Sequence, residues 1–166
     1  EAQSVGIKNA RKGETVHSVH SSVVHLLAER LVELGLLTGD PARHARICLQ
    51  AAETPDEDAW EAKLEEGEIG LHHYYMHNTS HWLGLDVHDV GDFAKDGVSR
   101  ILQAGMVLTV EPGLYFGPPD KGPPTAFDGI GVRLEDDILV TEDGSENLTD
   151  GLPIQPDEVE VLVAGG

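Results

Sequence analysis

Five of the nine histidines in this chain lie within residues 72–91, HHYYMHNTSHWLGLDVHDVG. Three of them, His77, His81 and His88, are surrounded by small, aromatic and apolar residues. Imidazole is the commonest protein metal ligand, and its unperturbed pKa lies near neutrality. Burying several imidazoles among apolar side chains costs free energy unless each has a polar partner. The stretch therefore predicts a polar functional site, although the HExxH motif of the zincins is absent because no glutamate follows His77.

Two glutamates stand at positions where a carboxylate would be partly buried. Glu111 closes the apolar run 106–110, and Glu135 follows strand-like residues beside Arg133. A buried carboxylate is unfavourable unless it is paired, protonated or bound to a metal. With His81, the two glutamates form a nitrogen-and-oxygen ligand set that suits Mn, Co, Zn or Fe better than a thiolate-dependent site. The three residues lie far apart in the sequence, so their spacing alone does not assign them.

Helices are predicted before the histidine stretch and strands after it. Residues 16–37 have apolar side chains at three- and four-residue steps, which predicts an amphipathic helix. Its histidines, His17, His20 and His25, do not converge on one face and are expected to be solvated or satisfied polar residues. Further helices are predicted over 42–52 and 57–66 and from residue 156, strands over 106–110, 130–134 and 138–141, a turn over 142–145, and loops over 91–100 and 117–129.

The composition is strongly acidic. Thirty acidic against eleven basic residues give a formal net charge of −19, which excludes a phosphate-binding surface for nucleic acid. Two interpretations of this negative charge are general solubility and adaptation to high salt, where salt screens the repulsion between the acidic side chains. Cys48 is alone and can form no internal disulfide, so a reducing cytoplasm is expected. No leader and no apolar run of membrane-spanning length is found, and a single domain over 1–166 is predicted.

Three segments resemble a known family. MHNTSHWLGLDVHDVG, LQAGMVLTVEPGLYF and GIGVRLEDDILVTEDGSENLT are similar, in this order, to the three C-terminal signature blocks of the aminopeptidase P and prolidase metallopeptidases. Together they cover about 72–149, and their residue sequences are most similar to those of aminopeptidase P. The resemblance implies the α+β pita-bread fold, a curved antiparallel sheet with flanking helices. It also implies cleavage of the bond between an N-terminal residue and a following proline.

The resemblance implies a role for each ligand. His81 would be the imidazole ligand of one metal, and Glu111 a carboxylate ligand and the base for the water. Glu135 would bridge two divalent ions, with manganese expected.

The resemblance also implies roles for residues around the metal. His77 and His88 match the two non-ligand histidines of the family, which hold the substrate and stabilise the tetrahedral intermediate. Arg133 and Tyr115 match positions that orient ligands and line the site. Taken alone, however, an isolated buried histidine is more often a hydrogen-bonded core residue than a catalyst.

The sequence departs from the family pattern upstream of these blocks. Two aspartate ligands, expected in a segment ending Asp-Thr-Arg, are absent, and residues 1–16 contain no aspartate. We expect the C-terminal part of an aminopeptidase P, inactive as this isolated chain, with one metal ion or none. The alternatives are a catalytically dead module that binds proline-containing peptides or a partner protein, and one half of a split peptidase. Open sheet edges further predict self-association or a complementing N-terminal half.

Overall fold

The computed structural model describes residues 1–53, 64, 68–117 and 125–165. The helices are α1 (Ala2–Asn9), α2 (Val16–Glu33), α3 (Pro41–Glu53), a short 3-10 helix (Leu71–His73) and α4 (Pro156–Ala164). The strands are β1 (Leu83–Gly84), β2 (Val87–His88), β3 (Ala94–Lys95), β4 (Val98–Ser99), β5 (Val107–Val110), β6 (Gly113–Tyr115), β7 (Gly131–Arg133), β8 (Asp136–Val140) and β9 (Ser145–Asn147). Across these ranges, no helix combines the length and the apolar character needed to cross a membrane.

Helix α2 begins and ends with side-chain and backbone capping bonds. The hydroxyl of Thr15 accepts the Ser18 N–H, and the hydroxyl of Ser18 accepts the Thr15 N–H, which forms a capping box. The helix ends four residues before the predicted residue 37. Gly35 has a φ of 73°, and the Leu36 N–H reaches the Leu31 carbonyl at 2.9 Å. This Schellman arrangement stops the helix although the apolar pattern continues.

Helix α1 was not predicted, because the residues it buries are not apolar. Its buried positions are Gln3 and Gly6, so the sequence lacks the usual apolar stripe. Gly6 allows close approach to strand β5, since a Cβ there would lie 2.6 Å from Val110 Cγ1. The helix prediction over 42–52 is confirmed by α3, whereas the prediction over 57–66 falls outside the described residues apart from Leu64.

The central sheet is antiparallel and has the order β5-β8-β9. Val110 pairs with Asp136 at the end of β5, so the residues that follow β5 and precede β8 lie at the same end of the sheet. The predicted turn over 142–145 joins β8 to β9, with the Thr141 N–H donating to the Gly144 carbonyl at 3.0 Å. The pairing of β5 with β8 therefore places Glu111 and Glu135 beside each other.

Strand β5 ends at Val110, and beyond Pro112 the chain is extended again. It continues as β6, which pairs with β7 so that Gly113 faces Arg133 and Tyr115 faces Gly131. Proline at a strand's start removes one N–H donor without preventing the next residues from pairing. The predicted loop over 91–100 contains the two-residue hairpin β3–β4, and residues 118–124 of the predicted loop over 117–129 are outside the described part.

Two apolar clusters hold these elements together. One lies between α2, α3 and the 3-10 helix and contains Leu27 and Tyr75; the other lies between α2, β5 and β8 and contains Val19, Leu108 and Ile138. Each fully buried side chain of this size contributes about 1.5–3 kcal/mol of transfer free energy. Helix α4 belongs to neither cluster and buries none of its residues. Strands β5 and β8 thus pack against α2 through the second cluster, and α1 also contacts β5 and β9.

Candidate metal centre

The structure brings the three predicted ligands together. His81 Nε2 lies 3.5 Å from Glu111 Oε1 and 3.7 Å from Glu135 Oε1. One ligand atom from each residue lies within 4.8 Å of the others. Within the described part of the chain, no other group of three histidine, cysteine, aspartate or glutamate residues converges in this way. Residues 54 positions apart in sequence thus share one end of the central sheet.

The segment that carries His81 is hydrogen-bonded along strand β5. The Thr109 N–H donates to the His81 carbonyl at 2.9 Å, and the His81 N–H donates to the Thr109 hydroxyl at 3.0 Å. Farther along, the Glu111 N–H donates to the Thr79 carbonyl at 2.7 Å. Because the segment and the strand are tied at both positions, the distance between His81 and Glu111 is set by backbone geometry.

One backbone contact defines the tautomer of His81. Its Nδ1 lies 3.0 Å from the Trp82 carbonyl, and a carbonyl can only accept a hydrogen bond. Nδ1 therefore carries a proton, and Nε2 is the ring nitrogen directed toward the two carboxylates. Metal-binding histidines are usually oriented in this way by a partner on the other ring nitrogen.

Glu111 is buried and has partners on both oxygens. It is 8% exposed, Oε2 accepts a hydrogen bond from Arg133 at 3.1 Å, and Oε1 accepts one from the Thr109 hydroxyl at 3.4 Å. The Glu135 side chain is about half exposed. Two carboxylates face the same imidazole, and a divalent cation between them would neutralise their negative charge. The donor set fits Mn²⁺, Co²⁺, Zn²⁺ or Fe²⁺.

A second set of contacts links Arg133 to His77. Arg133 Nε donates to the Tyr115 hydroxyl at 2.6 Å, and its guanidinium lies 5.6 Å from the Tyr115 ring centre. This hydrogen bond raises the pKa of Arg133, and the carboxylates of Glu111 and Glu135 act in the same direction. The Tyr115 hydroxyl uses its own proton toward His77 Nε2 at 2.9 Å. These contacts join Arg133 and Tyr115 to Glu111 and His77, and the roles of both residues stay predictions.

The two predicted non-ligand histidines, His77 and His88, differ in their surroundings. The His88 ring packs edge-on against the His81 ring, with the centroids 4.3 Å apart, and His88 is exposed. Val87, just before it, has a φ of 65°, an unusual conformation for a β-branched residue. His77 Nδ1 donates to the Asn78 carbonyl at 2.8 Å, so both of its nitrogens have partners within the chain. The catalytic roles of His77 and His88 stay predictions.

Sequence reasoning missed three residues that support the site. Thr109 lies inside the apolar strand β5 and is 1% exposed. A buried hydroxyl in an apolar strand departs from the local pattern and was a usable signal. Thr79 is fully buried and carried no such signal, and His20 was grouped with its exposed neighbours on α2.

Comparison with known proteins identifies the lineage. A family model described as metallopeptidase family M24 matches residues 1–142. The chain belongs to metallopeptidase family M24. The predicted membership in a family of hydrolytic metalloenzymes is confirmed, and a divalent metal is implied for M24 proteins.

Individual relatives give the same result. The chain is 42% identical over 163 residues to the Xaa-Pro aminopeptidase of Escherichia coli, covering 98% of this chain and 32% of the relative. The aminopeptidase PepP of Pseudomonas aeruginosa matches with a TM-score of 0.77 and 36% identity, over 99% of this chain and 33% of that one. A zinc-substituted aminopeptidase P of E. coli in complex with product matches with a TM-score of 0.74 and 41% identity, over 99% of this chain and 32% of that one.

This M24 chain thus spans about a third of the length of the curated relatives it matches. Its matches to solved aminopeptidase P structures confirm the predicted α+β pita-bread fold with antiparallel sheets and helices. Part of that fold is present in this chain.

Proposed function

We propose that residues 1–166 form one partial catalytic domain. This domain is the C-terminal catalytic part of a metal-dependent aminopeptidase. The enzyme would release the N-terminal residue from peptides with proline in second position. The convergence of His81, Glu111 and Glu135 on a space of ion size carries this proposal. The relatives named Xaa-Pro aminopeptidase support the substrate class.

The metal would be held by His81 through Nε2 and by one carboxylate oxygen each from Glu111 and Glu135. We propose Mn²⁺, since the set contains one imidazole and otherwise oxygen ligands. A divalent ion bound there supplies Lewis acidity to water and to the scissile carbonyl group. Because Arg133 engages Glu111 Oε2, Oε1 is the oxygen that faces His81 and would bind the metal, and the same carboxylate would serve as the base for the water.

The remaining residues bind and orient the substrate. His88 is exposed beside His81, so its ring can donate a hydrogen bond to a substrate carbonyl and to the oxyanion that develops. His77 acts through Tyr115 in this arrangement, and a direct substrate contact requires the Tyr115 hydroxyl to leave Nε2. Arg133 holds both Tyr115 and Glu111, which couples the orientation of the ligand to that of the substrate-facing hydroxyl.

We expect the isolated chain to be inactive and to bind one ion or none, because the two aspartate ligands of the family are absent. A catalytically dead module that binds proline-containing peptides or a partner is the alternative. A split peptidase is favoured by one observation. Helix α4 leaves Val161, Leu162 and Val163 more than 60% exposed, an apolar surface suited to a complementing half or a second copy. Cytoplasmic location, without nucleic-acid or membrane partners, completes the proposal.

A complementation assay tests the function. Release of arginine from Arg-Pro-Pro is measured with Mn²⁺ for the chain alone and for the chain mixed with the preceding part of the E. coli relative. We expect no turnover alone and turnover after mixing. The variant Glu111→Gln should abolish that turnover, whereas Glu146→Gln, an exposed acid on β9, should leave it unchanged.

Each other outcome has a defined meaning. Turnover by the chain alone refutes the expected inactivity. Absence of turnover in both samples, together with binding of the peptide, favours the binding module. Turnover that survives Glu111→Gln refutes the assigned site.

A further inference from the structure

His20 is the buried histidine of helix α2. It is 5% exposed, and its helix neighbours Val16, Val19 and Val23 belong to the two apolar clusters. His17 and His25, on the same helix, are exposed. Burial lowers the pKa of His20 to about 4, so the ring is neutral near pH 7. A neutral ring in an apolar surrounding still needs a hydrogen-bond partner.

Thr79 is that partner, and it contacts one nitrogen of His20 twice. His20 Nδ1 lies 3.2 Å from the Thr79 backbone nitrogen and 2.9 Å from the Thr79 hydroxyl oxygen. A backbone N–H can only donate, so Nδ1 accepts and the ring proton resides on Nε2. The Tyr75 hydroxyl lies 2.6 Å from the Thr79 hydroxyl, which orders three groups as Tyr75 to Thr79 to His20.

Thr79 stands between the site histidines and bonds to a ligand. It is two residues from both His77 and His81, and its carbonyl accepts the Glu111 N–H at 2.7 Å. The ring of Tyr75 packs edge-on against the His77 ring, with centroids 4.8 Å apart. A displacement of Thr79 would therefore move His77, His81 and Glu111 together.

The segment that carries these residues has no regular structure of its own. Residues 74–81 form neither helix nor strand, so side-chain hydrogen bonds and the contacts with β5 hold the backbone. An apolar residue in place of His20 could fill the volume. It would leave the buried N–H and hydroxyl of Thr79 without their acceptor.

We propose that His20 is a positioning residue of the metal centre: its Nδ1 anchors Thr79, which fixes the segment from His77 to His81 against Glu111. The inference rests on the proposed function in assigning His81 and Glu111 to one metal. The anchoring itself is a property of the metal-free chain. His20 touches neither metal nor substrate and acts only through Thr79.

Three substitutions in the 166-residue chain separate positioning from packing. His20→Leu fills the space without an acceptor, and His20→Asn places an amide oxygen close to the position of Nδ1. His25→Leu is the matched control on the exposed face of α2. Circular dichroism and thermal unfolding establish that each variant is folded. Co²⁺ binding is followed by its visible absorption, and the imidazole nitrogens of His77 and His81 are followed by NMR without metal.

The Leu variant should bind Co²⁺ at least about ten-fold more weakly than the wild type, as expected for the loss of a group that orients ligands. Its Glu111 amide and its His77 and His81 imidazole signals should shift or broaden. The Asn variant should restore affinity to within about three-fold, and the His25 control should match the wild type. If the Leu variant does not fold, Thr79→Val, which removes the hydroxyl but keeps the N–H, should still shift the His77 signals.

Two results would overturn the proposal. One is wild-type Co²⁺ affinity and unchanged imidazole spectra in a folded Leu variant. The other is an Asn variant as impaired as the Leu variant, which would make His20 a packing residue only. If the wild type itself binds no Co²⁺, the isolated chain holds no ion, and the metal-free spectra alone decide: unchanged His77 and His81 signals in a folded Leu variant would overturn the anchoring by His20.

Discussion

Acidification should destabilise this protein through His20 before its carboxylates become protonated. The pKa of His20 is lowered from 6.5 to about 4, first by burial and then by the nearby His17 and His77. Below about pH 6.5 the unfolded chain binds a proton at this position that the folded chain does not bind. Stability from this residue is therefore complete above the unfolded pKa and is lost as the pH falls toward 4.

The size of the effect follows from the two pKa values. Each pH unit between them removes about 1.4 kcal/mol from the free energy of unfolding. Because titration has only begun near pH 7, the loss from about pH 7 to about pH 5 is about 2 kcal/mol. This is a substantial fraction of the total stability of a domain of this size.

Urea unfolding at the two pH values measures the effect, and the variant His20→Asn isolates it. The half-buried His72 also has a pKa lowered to about 4, but it contributes equally to both proteins. The wild type should lose about 2 kcal/mol more than His20→Asn between these pH values, whereas the exposed His25→Asn should behave like the wild type. Equal losses in the wild type and His20→Asn would refute a neutral, buried His20.

Three further predictions concern packing, backbone strain and charge. Gly6→Leu should lower the free energy of unfolding by about 1–3 kcal/mol in urea, because a Cβ would lie 2.6 Å from Val110 and 3.2 Å from Val23; unchanged stability would contradict this packing. Val87→Gly should raise the free energy of unfolding by about 1 kcal/mol, since glycine adopts the φ of 65° without strain. A decrease would contradict backbone strain at Val87. The melting temperature should rise from low to molar KCl because the formal net charge is −19, and no rise would exclude a salt-adapted surface.

The sequence predicted the elements whose patterns are local. The apolar steps of α2 and the apolar run of β5 reflect burial on one face, and both elements begin within a residue of the predicted position, although α2 ends four residues early. The start of α4 at Pro156 was likewise predicted from a proline followed by acidic residues. Helix α1 could not be found in this way, because Gly6 and Gln3 face the core through close approach and a hydrogen bond rather than through apolar bulk.

The same distinction between local patterns and tertiary contacts applies to the site. The ligand set was predicted from residue types and a family resemblance, and the antiparallel register of β5 and β8 explains why two distant glutamates meet. The residues that orient the ligands depend on tertiary contacts and leave little trace in sequence. The bond between Thr79 and His20 joins residues 59 positions apart, and the link from His77 to Arg133 passes through Tyr115.

Crystals of this chain soaked in Mn²⁺ and measured at the manganese absorption edge test the central claim most directly. We expect an anomalous peak between His81 Nε2 and the carboxylates of Glu111 and Glu135, and no peak there in a Glu111→Gln crystal. A manganese peak at other residues, with none between His81, Glu111 and Glu135, would contradict a shared metal site at these three residues.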